Sequence, residues 1–135
     1  MQKILFAIAM LATATASINA NAEVMLECHE PMGHLYADGH GWVEDGFTGG
    51  KFSLVKDGDQ FDIIITDAFG TRSAKADGAV VVSTEVTADA LTLIAAYPHA
   101  LETYLFSFEK SLMLLTTLKL SGGPARGGVY HATCE

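Results

Sequence analysis

Three histidines, His29, His34 and His40, stand in one short stretch beside Glu30, Asp38, Glu44 and Asp45, with no lysine or arginine among them. Imidazole with carboxylate is suitable company for zinc, nickel or copper. The start of that stretch, HEPMGH, has the look of the H-E-x-x-H protease signature. That signature needs two histidines four apart, about 40° from each other around a helix axis. His29 and His34 are five apart, about 140° by the same geometry. Pro31 and Gly33 also oppose a helix there, so the protease reading fails. What remains is a loop metal site on His29, His34 and His40, weighed against three solvated histidines in a glycine-rich loop.

The other reactive side chains are two thiols, Cys28 and Cys134, near the two ends of the chain. Their setting is decided by residues 1–22. Lys3 gives a positive start, an apolar run follows, and Ala20-Asn21-Ala22 forms a small-residue cleavage site. That layout reads as a secretory signal peptide, too short and too lightly flanked for a membrane span. The domain is therefore expected over 23–135, and the protein in the periplasm or outside the cell.

An oxidising compartment favours a disulfide, and two cysteines allow a single pairing. The spacing lacks the local C-x-x-C geometry of a redox or metal thiol pair. A Cys28–Cys134 staple joining the first strand to the last is the expectation. Closing so long a loop is worth about 4.7 kcal/mol in a chain-entropy treatment.

Trp42, the only tryptophan, has two readings. It either plugs one end of a barrel with Phe47 and Phe52, or stands exposed as an interaction anchor. Its position after Gly39-His40-Gly41 favours packing. Arg126 lies in SGGPARGG, which lacks the G-K-[ST] ending of a phosphate loop. As a lone cation in an acidic protein it is a candidate to meet a carboxylate, on a partner or within the chain. Asp57-Gly58-Asp59 and Asp62 miss the calcium-loop spacing. No G-x-S-x-G elbow occurs and the staple leaves no free thiol, so the chain is read as non-catalytic, with no cofactor.

These residues need a scaffold, and the pattern between the cysteines has a period of two. Phe61, Ile63 and Ile65 alternate with Asp62 and Thr66, and Tyr104, Phe106 and Phe108 with Leu105 and Ser107. Asp57-Gly58 and Asp77-Gly78 have tight-turn chemistry. Strands are expected at 23–28, 51–56, 60–67, 71–76, 79–86, 90–97, 102–108, 111–120 and 128–134, with 29–50 left as a long loop. The fold class is all-β: one small antiparallel meander forming a closed or nearly closed barrel of about eight strands. A barrel removes exposed edges and brings the two ends together.

Charge narrows the function. The formal net charge is −8 over 135 residues, and loss of Lys3 with the signal makes it −9. Such a surface repels phosphate backbones, so nucleic acid is excluded. No second stretch is apolar enough to span a bilayer as a helix. Segments apolar on both faces, and a C-terminal Thr-Cys-Glu, oppose an outer-membrane barrel. The leading expectation is a protein-interaction or inhibitor-type module for an exported or envelope partner. The alternatives are a carrier of a small apolar ligand and a metal-binding protein using the histidine stretch.

Overall fold

The computed structural model describes residues 21–119 and 123–135, so all but the last two residues of the expected signal peptide lie outside the described residues. Ten strands form one antiparallel sheet: β1 (Glu23–Ala37), β2 (Gly41–Gly46), β3 (Lys51–Asp57), β4 (Gln60–Asp67), β5 (Gly70–Ser73), β6 (Val80–Val86), β7 (Ala90–Ala96), β8 (Ala100–Ser107), β9 (Leu112–Lys119) and β10 (Arg126–Cys134). The described residues contain no helix long and apolar enough to cross a membrane.

The sheet order is β5-β4-β3-β1-β10-β9-β8-β7-β6, with β2 paired to β1. Apart from β1–β10, each neighbour on that path follows from a sequence-local hairpin, or from β1 to β3 across the β2 excursion. The meander expected from the alternation is therefore present, and it is sealed between its first and last strands. It opens between β5 and β6, which share no ladder among the described residues. The turn 74–79 spans that gap: Ala74 N–H donates to the Ile63 carbonyl, and Ala79 N–H to the Ala74 carbonyl. The result is a curled half-barrel, with closure only approximate.

The staple sits at the seal. Glu27 and Glu135 exchange both backbone hydrogen bonds, at 2.9 and 2.8 Å. The next pair, Cys28 opposite Cys134, is therefore of the closer, non-hydrogen-bonded kind. Their Cα atoms are 3.9 Å apart and the disulfide is formed.

One sequence expectation is corrected. Residues 29–50 are not a loop: β1 continues to Ala37 and returns as β2, a hairpin that belongs to the sheet. Pro31 and the glycines hid it, and each has a structural use. Glu30, at φ 46°, and Pro31 form a bulge between His29 and Met32, where the register of β1 against β10 shifts. Pro31, fully buried, has no N–H to offer the ladder, and its carbonyl accepts from Phe47 N–H at 2.9 Å. Before the bulge β1 pairs with β3, and after it with β2. Nine strands thus lie on the curled path, and β2, paired to β1, is a tenth beside it.

Inward positions fill a single core. Leu26, Phe52, Leu54, Ile63, Leu91, Leu93, Tyr104, Phe106, Met113 and Leu115 are buried in it, together with both cysteines. On β3, β4, β7, β8, β9 and β10 alternate residues of a central run enter this core, which is why the alternation was visible in sequence.

Candidate functional site

The opposite face of the same strands is the unusual surface. Three rows of directly paired residues cross it from β6 to β2. The first runs Val80, Ala96, Leu101, Leu118, Gly127, Tyr36, Trp42. The second runs Val82, Ile94, Thr103, Thr116, Val129, His34, Glu44. The third runs Thr92, Leu105, Leu114, His131, Met32, Gly46, with Glu85 opposite Thr92. Only Glu44 and Glu85, at opposite margins, bring a carboxylate to it.

Five strands at ~4.8 Å and three rows at ~6.8 Å give the central part roughly 500 Å². Thr92, Thr103, Thr116, His131 and His34 share that footprint with the leucines and valines, so the face is uncharged and mostly apolar, the character of surfaces that are often functional. Because the sheet curls around its core, this face is convex.

Trp42 closes one end of the first row. It is 65% exposed and meets Tyr36 edge-on, with ring centroids 5.5 Å apart. The packing reading is corrected: Phe47, not Trp42, sits against Phe52 and Tyr130, at centroid distances of 5.3 and 5.1 Å. Trp42 cannot join them, because β2 turns positions 43 and 45 toward the Tyr130 side and positions 42 and 44 outward.

A second cluster lies on the inner face at the open end of β8, β9 and β10. Arg126 and Lys119 are cross-strand partners there. Together with Glu102, Asp45, Tyr130 and Leu35 they line a basin of about 230 Å³. The carboxylates are already held by phenols. Tyr130 Oη donates to Asp45 Oδ2 at 2.8 Å, and Tyr104 Oη donates to Glu102 Oε2.

Burial pushes the Glu102 carboxyl above the usual glutamate range, and the Tyr104 and Tyr97 hydroxyls act the other way. Burial, and then the bond to Asp45, hold the Tyr130 phenol well above its ordinary value. Neither Lys119 nor Arg126 makes an ion pair within the described residues.

The histidines are dispersed. His29 Nε2 lies 3.1 Å from Glu135 Oε1, beside the staple. His34 stands on the outer face between Val129 and Glu44. His40 is in the β1–β2 turn, with Nδ1 3.4 Å from the Asp38 carbonyl oxygen. Among the described residues no group of three or more His, Cys, Asp or Glu side chains is placed to hold a metal ion.

Sequence reasoning missed Glu102 and the outer leucines, and met Asp45 only as company for the histidines. Leu101, Leu105, Leu114 and Leu118 left one trace, which was strands apolar on both faces. The basin left only Arg126, read as a lone cation, since it joins residues far apart in the chain. No protein-family model, no curated protein and no solved structure matches this chain.

Proposed function

We propose that residues 1–22 direct export, and that residues 23–135 act in the periplasm or outside the cell as a non-catalytic interaction module of inhibitor type. The observation that carries this reading is the uncharged convex face spanning β6 to β10 and the β1–β2 hairpin. In a protein of net charge −9 without Lys3, a face this free of charge is a marked exception. Interfaces have an apolar centre depleted of charge and a polar rim. Tyr36 and Trp42 supply the aromatic anchors common at such centres.

Convexity and charge describe the partner. It offers a concave apolar groove, which a second convex copy of this chain does not, and a rim with cations for Glu44 and Glu85. The Cys28–Cys134 bond suits an oxidising compartment and gives the face a rigid backing. The carrier reading has less support, because Tyr104, Phe106, Leu91, Met113 and Leu115 fill the inside of the curl. The metal reading has less still, since His29, His34 and His40 stand apart.

The test is site-specific photo-cross-linking in the cell envelope. A photoreactive residue at Leu101 or Leu118 is expected to give one discrete adduct with another exported protein, abolished by Leu105→Lys. The same group at Asp59, in the β3–β4 turn, is expected to give none. No adduct from the two leucine positions, or equal adducts from all three, would set the reading aside.

A further inference from the structure

Lys119 and Arg126 face each other across β9 and β10 on the inner side of the sheet. Like charges directly opposite in a ladder are destabilising. In a chain with 16 acidic residues against 8 basic ones, a carboxylate for each would be easy to supply, yet neither has an ion pair among the described residues. The nearest inward carboxylates are no substitute. Glu102 lies one inward position deeper than the Ala100–Lys119–Arg126 row and is bonded to Tyr104. Asp45 lies two deeper, in the row of Tyr104, Leu115, Tyr130 and Gly33, and is bonded to Tyr130.

The basin is thus layered, with two cations at the rim and two oriented carboxylates beneath. Leu35 and Ala100 give it apolar wall. Its floor is the Tyr130 ring, which lies over the α-carbon of Gly128 in the space a side chain there would fill. A carboxylate has about four lone-pair sites; the Tyr104 and Tyr97 hydroxyls take two on Glu102, and the Tyr130 hydroxyl takes one on Asp45. Glu102 and Asp45 therefore keep acceptor capacity toward the basin.

We infer that this basin is a binding site for a small zwitterion, an aliphatic amino acid, held with its carboxylate between Lys119 and Arg126 and its ammonium toward Glu102, one inward row from Lys119. The volume of about 230 Å³ suits a molecule of that size. The mixed charge explains why an apolar molecule or a simple anion fits less well: either leaves one layer without its counter-charge. The site is on the inner face, so it stands independently of the interaction module proposed for the outer one.

The test is a titration of the isotope-labelled mature protein followed by NMR, with L-leucine as probe. Two single-charge analogues, 4-methylpentanoate and 3-methylbutylamine, run beside it. Leucine is expected to give saturable shifts at the amides of Thr117, Gly127 and Gly128, with a Kd of about 1 mM or below. Arg126→Gln and Glu102→Gln are each expected to weaken it roughly tenfold, the effect of one lost charge-assisted hydrogen bond. Lys119→Gln serves where Glu102→Gln does not fold, with the same expected loss. Non-saturating shifts, equal binding of 4-methylpentanoate, or unchanged affinity in the Arg126 and Lys119 variants would overturn the assignment.

Discussion

The ring of Tyr130 lies across the α-carbon of Gly128: a Cβ built on that glycine would come within 2.5 Å of both Cε2 and Oη. This close approach lets the hydroxyl of a β10 residue reach past β1 and donate to Asp45 on β2. The β1–β2 hairpin, and with it Trp42, is therefore anchored to the last strand. Gly128→Ala forces the ring aside and breaks the anchor. The expected loss is about 1–3 kcal/mol, the usual cost of overpacking. Urea titrations should show a lower midpoint with an unchanged slope. In a Tyr130→Ala background the same substitution should cost far less, because the two residues act as one unit. A fully stable Gly128→Ala protein would contradict the ring placement.

Leu114 and Leu115 are chemically alike neighbours on β9 and should behave oppositely. Leu115 is 1% exposed in the core, whereas Leu114 is 40% exposed on the outer face. Leu115→Ala should cost about 2–5 kcal/mol through lost burial and a residual cavity. Leu114→Ala should stay within about 0.5 kcal/mol, as surface substitutions do. Thermal melts of the two variants decide the point. Equal losses would mean that something covers the outer face in the isolated protein.

How far the fold was legible follows from these same residues. The inward set could be read because every second position is apolar, and because turn residues such as Asp57-Gly58 punctuate it. On β9 the outward set is apolar too, so sequence could not say whether Leu114 or Leu115 faced the core. Cross-strand neighbours settle that choice, and they are a tertiary fact. The β1–β2 hairpin was lost for another reason. Pro31 at a bulge, Gly33 packed on the backbone of Val129 and Tyr130, and the positive-φ Gly39 and Gly41 of its turn together have a loop's composition. The staple was the easiest inference, since two cysteines leave one pairing. The basin was out of reach because its residues converge from β1, β2, β8, β9 and β10.

The disulfide acts chiefly on the unfolded chain. It links positions 106 apart and holds a strand pair that already has backbone hydrogen bonds on both sides of Cys28. Cys28→Ala/Cys134→Ala should fold to the same sheet but lose about 2–5 kcal/mol. At roughly 4–8 °C for each kcal/mol, the melting temperature should fall by tens of degrees at the upper end. The urea slope should rise as well, because the uncrosslinked unfolded state exposes more surface. A drop in midpoint with an unchanged slope would locate the effect in the native state instead.

Two glutamates should give stability profiles of opposite sign with pH. Burial raises the folded-state pKa of Glu102, so folding holds its proton more tightly than the unfolded chain does. That contribution is complete below the ordinary glutamate range and is lost as pH climbs through the raised value. Glu27 is the reverse case. The hydrogen bond from Lys51 Nζ, at 3.0 Å, lowers its pKa, and the resulting stability is present at neutral pH and lost as pH falls through the lowered value. Glu102→Gln keeps an acceptor for Tyr104 without the charge, so it should gain on the wild type as pH rises from about 4 to about 7. Glu27→Gln should match the wild type in acid and fall below it at neutral pH, by a small amount because Glu27 is about one-third exposed. Urea midpoints of the three proteins across that range check both signs at once. Parallel profiles for the two variants would mean that Glu102 is as well solvated as Glu27, and that the basin beside it is wet and open rather than shaped around a ligand.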